Sequence, residues 1–128
     1  MQTILGSSGV IGRELAKSLT QFTNKIRLVS RNPQKVNDGD ELISADLLNP
    51  EQVLNAVKGS EVTYLTVGLQ YDIKIWKTQW PLLIKNIIDA CKKYSSKLVF
   101  FDNVYAYGKV DGWMTEETPM NPTSEKGK

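Results

Sequence analysis

The run Thr3-Ile4-Leu5-Gly6-Ser7-Ser8-Gly9-Val10-Ile11-Gly12 decides the fold, because an apolar strand passes directly into three spaced glycines and then into a helical pattern. Such a junction is a phosphate-binding turn. Glycine lets the backbone turn sharply, approach a pyrophosphate and pack the new helix against the strand, while the N–H groups of the helix start point at the anion. The ligand implied is a dinucleotide, held by Gly6, Ser8, Gly9, Val10, Ile11 and Gly12. The spacing is one residue longer in its first gap than the common dinucleotide fingerprint, and no Lys follows Gly12, which argues against a triphosphate-binding loop.

Working outward, Ile11, Leu15, Leu19 and Phe22 recur at helical spacing and predict one buried face, ended by Asn24. A second strand is expected over 25–30, closed by Asn32-Pro33, and a third over 41–45. Asn49-Pro50-Glu51-Gln52 has the form of a helix start, with Asn49 as cap, Pro50 at the first position and Gln52 reaching back. Gly59 stops this helix after Val53, Leu54 and Val57. A fourth strand spans 61–67. Ile73, Trp76, Trp80, Leu83, Ile87 and Cys91 then mark a long helix, with Pro81 inside it as a kink or a second start. The fifth strand covers 97–102.

Strands alternating with helices give an α/β fold of the Rossmann type: a doubly wound parallel sheet in the order 3-2-1-4-5 with its ligand crevice where the order reverses. Residues 1–103 form the dinucleotide-binding part. Residues 104–128 are polar and aperiodic and read as a loop or tail on the active-site side.

The bulk properties narrow the partners. A length of 128 residues fits one domain, and a net charge of +2 with scattered Lys and Arg names neither nucleic acid nor an acidic membrane. No window reaches membrane-spanning length and the first residues lack a leader pattern, so cytoplasmic residence is the expectation. The absence of histidine and the single Cys91 remove most metal sites, so no metal is expected; Cys91, on an apolar helical stripe, reads as core.

At the end of the second strand of a dinucleotide site, a carboxylate selects a free ribose 2′-hydroxyl, whereas arginine accommodates a 2′-phosphate. This chain offers Ser30-Arg31, so NADP is favoured over NAD, with Lys35 as a second phosphate contact.

Together Gly6 to Gly12, Ala45-Asp46-Leu47, the end of the fourth strand and Val99-Phe100-Phe101-Asp102-Asn103-Val104-Tyr105-Ala106-Tyr107-Gly108 resemble an extended or atypical short-chain dehydrogenase/reductase of the NAD-dependent epimerase/dehydratase type. Glu116 to Pro122 resembles that family's segment before its active-site tyrosine. The resemblance implies that Asp46 accepts from the adenine amino group beside the Leu47 backbone, and that Thr66, Val67 and Gly68 line the cofactor. It also exposes departures. Asn103 stands where a Ser or Thr is usual, and an amide cannot share a hydroxyl proton. Lys126 stands where the tyrosine belongs, that tyrosine's partner Lys falls past residue 128, and Trp80 replaces an asparagine. Tyr105 and Tyr107 are the substitute phenols, so Asn103, Tyr105, Tyr107 and Lys126 are the catalytic candidates.

Members of that family run to about twice this length, so the chain is expected to be truncated before a sixth strand and a substrate lobe. An uncovered sheet edge would then favour a homo-oligomer. The expected function is the cofactor-binding portion of an NADP-type oxidoreductase, epimerase or dehydratase acting on a nucleotide sugar or small carbonyl. The alternatives are a non-catalytic dinucleotide-binding or redox-sensing module and an interaction domain with a vestigial site.

Overall fold

The computed structural model describes residues 1–69 and 72–128. Five parallel strands, β1 (Gln2–Leu5), β2 (Ile26–Ser30), β3 (Glu41–Ser44), β4 (Val62–Leu65) and β5 (Lys97–Phe100), form one sheet in the order β3-β2-β1-β4-β5, as the sequence predicts. Leu5 stands beside Val29 of β2 and Leu65 of β4, and Ile4 beside Leu28 and Tyr64. Because side chains alternate across a sheet, these two rows face opposite layers.

The row of Leu5, Val29 and Leu65 is fully buried against helices α2 (Pro50–Val57) and α3 (Ile73–Lys93), where Val53, Val57, Leu83 and Ile87 complete the larger core. Ile4, Ile26 and Leu28 face α1 (Val10–Leu19) on the other side. Each large side chain removed from water in this way contributes roughly 1.5–3 kcal/mol. Thr3 and Thr63 fall in the α2 and α3 row. They are buried because Ser60 and Ser96 hydrogen-bond their hydroxyls.

Three local expectations are corrected. The buried stripe of α1 is Gly12, Ala16 and Leu19, with Leu15 partly covered, while Ile11 is exposed and Phe22 lies 79% exposed beyond the helix end. Small residues face the sheet because α1 approaches too closely for large ones. Asn49 caps α2 by accepting from Glu51 N and Gln52 N. Gln52, however, reaches past it to accept from Asp46 N at 2.7 Å. Finally, α3 runs through Pro81 as a single 21-residue helix, so the proline marks no second start.

Beyond β5 the tail is not featureless. Val104–Tyr107 form a short 3₁₀ turn, and the chain then doubles back so that Gly108 abuts the Asn121 carbonyl and Gly127 abuts the Tyr105 carbonyl. Among the described residues no helix is long and apolar enough to cross a membrane.

Candidate functional site

A cavity of about 770 Å³ opens at the carboxyl ends of β1, β2 and β4, where the strand order reverses. It is built on the glycine turn, and the three glycines have different reasons. Gly6 has φ +89°, and a Cβ there would come within 2.7 Å of Val67 N. At Gly12 a Cβ would lie 2.5 Å from the Gly6 carbonyl oxygen and 2.9 Å from Ser7 Cα. Gly9 differs, since a Cβ would meet only the Gly6 oxygen at 3.5 Å, an ordinary contact, and its φ of −77° suits any residue. The protein's own packing therefore demands glycine at 6 and 12 but not at 9, which lines the cavity.

The helix ends point the same way. Asn49 caps α2 and Asp72 caps α3 through side-chain oxygens, whereas the N-cap of α1 is Gly9, with no side-chain cap. Every helix start leaves N–H groups without an internal partner, and at α1 no side-chain cap satisfies them. Val10 and Ile11 place backbone N–H groups in this first turn while their side chains are exposed, and Gly12 packs against the Gly6 carbonyl and Ser7. Thr66 Oγ1 donates to the carbonyl oxygens of Leu5 and Gly6 at 3.1 and 3.3 Å, fastening the turn to the end of β4. Ser7 Oγ is buried in the same wall with no hydrogen-bond partner among the described residues.

At the β2 end, Ser8 Oγ and Ser30 Oγ lie 2.6 Å apart, and Ser8 also donates to the Asn32 carbonyl oxygen at 3.3 Å. Arg31 lines the cavity, as do Asp46, Leu47, Thr66, Val67 and Gly68. Asp46 Oδ1 accepts from Leu48 N at 3.0 Å, and the buried Asn86 donates to the Leu47 carbonyl oxygen at 3.1 Å. Lys35 turns elsewhere and donates to the Asp38 carbonyl oxygen at 3.0 Å. Arg13, Gln34 and Gln79 also line the cavity and were missed by sequence reasoning. For Arg13 there was a usable signal, its place four residues after Gly9 on the same face of α1.

A second cavity, about 620 Å³, adjoins the first through Thr66, Val67, Gly68 and Leu69. Asn103, Tyr105 and Lys126 meet there, although the last two are 21 positions apart in the sequence. Tyr107 is not among its described walls. Asn103 Oδ1 accepts from Tyr105 N at 3.0 Å, so this side chain caps the 3₁₀ turn and leaves its amide nitrogen to donate. The opposite wall is aromatic: Trp76 stacks on Trp80 with centroids 5.2 Å apart, and Trp80 leans on Phe100 at 5.6 Å. Lys126 Nζ sits 5.1 Å above the Trp76 ring, a cation–π contact. Glu125 ties the tail to α3 through Lys77 at 3.2 Å and pairs within the tail with Lys128 at 3.1 Å, and these two ammonium groups, Lys128 first, keep its carboxyl below the usual range.

Cys91 takes no part in either cavity. Burial pushes its thiol up, partly opposed by hydrogen bonds to Thr63 and Ser96. Among the described residues no cluster of metal-ligating side chains forms.

Comparison with known proteins agrees with this geometry. A family model described as NAD(P)H-binding matches residues 6–123. Uronate dehydrogenase from Agrobacterium tumefaciens is similar at a TM-score of 0.84 and 17% identity, over 98% of this chain and 50% of that one. UDP-glucose 4-epimerase gives 0.83 and 18%, over 98% of this chain and 43% of its own. Glucuronic acid dehydrogenase from Chromohalobacter salexigens gives 0.84 and 17%, over 98% and 50%. At these identities the likeness is one of fold. The chain spans about half the length of these structures, and no curated protein matches it.

Proposed function

The chain belongs to the NAD(P)H-binding family, and from that premise we propose that it binds NADP(H) across the two adjoining cavities as the cofactor-binding portion of an oxidoreductase, epimerase or dehydratase. The carrying observation is the start of α1. It is left without a side-chain cap and fronted by Gly9, a glycine that the protein's own packing does not require. These residues fit a dinucleotide. The first-turn N–H groups of α1 hold the pyrophosphate, Asp46 accepts from the adenine amino group beside Leu47, and Arg31 next to Ser30 takes a ribose 2′-phosphate. Thr66, Val67 and Gly68 carry the cofactor from the first cavity into the second.

The bound nicotinamide would supply hydride exchange. Around it, the Asn103 amide donates a hydrogen bond to a substrate carbonyl. The Tyr105 phenol, which lines this cavity with Lys126, exchanges a proton with the substrate. The dehydrogenases and the epimerase among the structural neighbours act on sugars by name, which supports a sugar, nucleotide sugar or other small carbonyl as substrate.

A second reading, a dinucleotide-binding module without turnover, is favoured by Asn103, which lacks a hydroxyl and spends its oxygen on the Tyr105 amide. Side-by-side calorimetric titration with NADPH and NADH tests the binding claim. NADPH tighter by about tenfold, equivalent to about 1.4 kcal/mol, is the expected result, and failure of both to bind at millimolar concentration would refute it. Conversion of any sugar or small carbonyl in the presence of the cofactor, read as a net change in NADPH for an oxidoreductase and as isomerised or dehydrated product for an epimerase or dehydratase, separates the enzyme from the module.

A further inference from the structure

The chain has three arginines, and they fall into two groups. Arg27 is structural: it donates to the Ala56 and Lys58 carbonyl oxygens, each at 2.7 Å, and pairs with Glu41 at 3.3 Å. Arg13 and Arg31 are exposed, line the first cavity and have no side-chain partner among the described residues. They sit on different elements, but those elements are tied together. Ser8 bonds both Ser30 Oγ and the Asn32 carbonyl, and Asn37 Nδ2 donates to the Ala16 carbonyl oxygen of α1 at 3.1 Å. The loop after β2 is itself closed by Asp40, whose carboxylate accepts from Val36 N and Asn37 N at 3.0 and 2.6 Å. Asp46 is the carboxylate that lines the same cavity, and its Oδ1 is engaged by Leu48 N.

We propose that Arg13 is a specificity-determining residue which, with Arg31, forms a two-arginine clamp on the 2′-phosphate of an NADP-type cofactor. This rests on the dinucleotide-binding reading above. A phosphomonoester presents three acceptor oxygens, more than one guanidinium fork can pair, and a second fork from α1 satisfies the remainder. Arg13 stands one turn past the pyrophosphate-binding start of α1, on the side joined to the β2 loop. Lys35, the cation expected there from sequence, is engaged by Asp38 instead.

The test is calorimetric titration of the chain and of Arg13→Gln, Arg31→Gln and the double variant with NADPH, NADH and adenosine 2′,5′-bisphosphate. Both positions are exposed, so the variants should fold, and a circular-dichroism melt checks this. Each single change is expected to weaken NADPH and the bisphosphate by roughly tenfold while NADH shifts by less than about twofold, and the double variant is expected to lose the NADPH preference. Equal weakening of NADPH and NADH by Arg13→Gln would overturn the proposal by making Arg13 a pyrophosphate contact, as would no effect on either. If the unaltered chain binds neither cofactor, the dinucleotide reading itself fails and the clamp falls with it.

Discussion

The cavity at the glycine turn and the cavity behind it share Thr66 to Leu69, yet one is built on a glycine turn flanked by serine hydroxyls and the other on aromatic rings and a doubled-back tail. In the first, shape comes from steric prohibitions: Gly6 and Gly12 are where a side chain cannot go. In the second, shape comes from contacts between residues far apart in sequence, such as Lys126 on Trp76 and Gly127 on Tyr105. A turn shaped by backbone is therefore compact in sequence, whereas a wall assembled from distant side chains depends on the tail staying docked.

The sharpest way to break the contrast is Gly12→Val. Its Cβ would collide with the Gly6 carbonyl, so the variant should lose about 3 kcal/mol of stability and all measurable NADPH binding. Thermal unfolding and titration check the two losses. Gly9→Leu separates them: stability should stay within about 0.5 kcal/mol, because only an ordinary contact is met, while NADPH affinity falls by about a hundredfold. If Gly9→Leu melts like Gly12→Val, the distinction between packing and ligand glycines is wrong.

In the second cavity, Trp80→Ala removes the middle ring of the stack and should cost about 2 kcal/mol, below the fully buried range because Trp80 is only partly covered. Affinity for adenosine 2′,5′-bisphosphate should be unchanged, and its loss would show that the cavities are one cooperative unit.

The smallest effect concerns pH. The Glu125 carboxyl is held below its usual range, so its pair with Lys77 stabilises the docked tail above that range and is lost as pH falls through the lowered value. Trp76 fluorescence should therefore change below about pH 4 as Lys126 leaves the ring. Glu125→Gln should give the low-pH signal at neutral pH. The group is fully exposed, so a shift in global melting temperature would contradict this local assignment.

How much of this could be read from the sequence follows from the same contrast. The strand order, the glycine turn and the Asn49-Pro50 helix start were legible because each is encoded within a few residues. The buried face of α1 was misread, since Ile11 and Phe22 are the larger apolar residues but Gly12 and Ala16 are the ones that fit beneath the helix. Gln52 departed from its local box because Asp46, six residues upstream, offered an N–H needing an acceptor. The meeting of Asn103, Tyr105 and Lys126 depends on the tail's return, which Gly108 and Gly127 permit by close approach. Neither glycine announces in sequence which carbonyl it will meet.

β1 is the middle strand, hydrogen-bonded on one side to β2 and on the other to β4, while β3 and β5 lie at the edges. Amide hydrogen exchange should accordingly be slowest over residues 3–5 and 63–65 and faster in β3 and β5. The glycine turn thus grows from the strand expected to open last. The chain can fray at both sheet edges and still present the same anchor to a passing nucleotide.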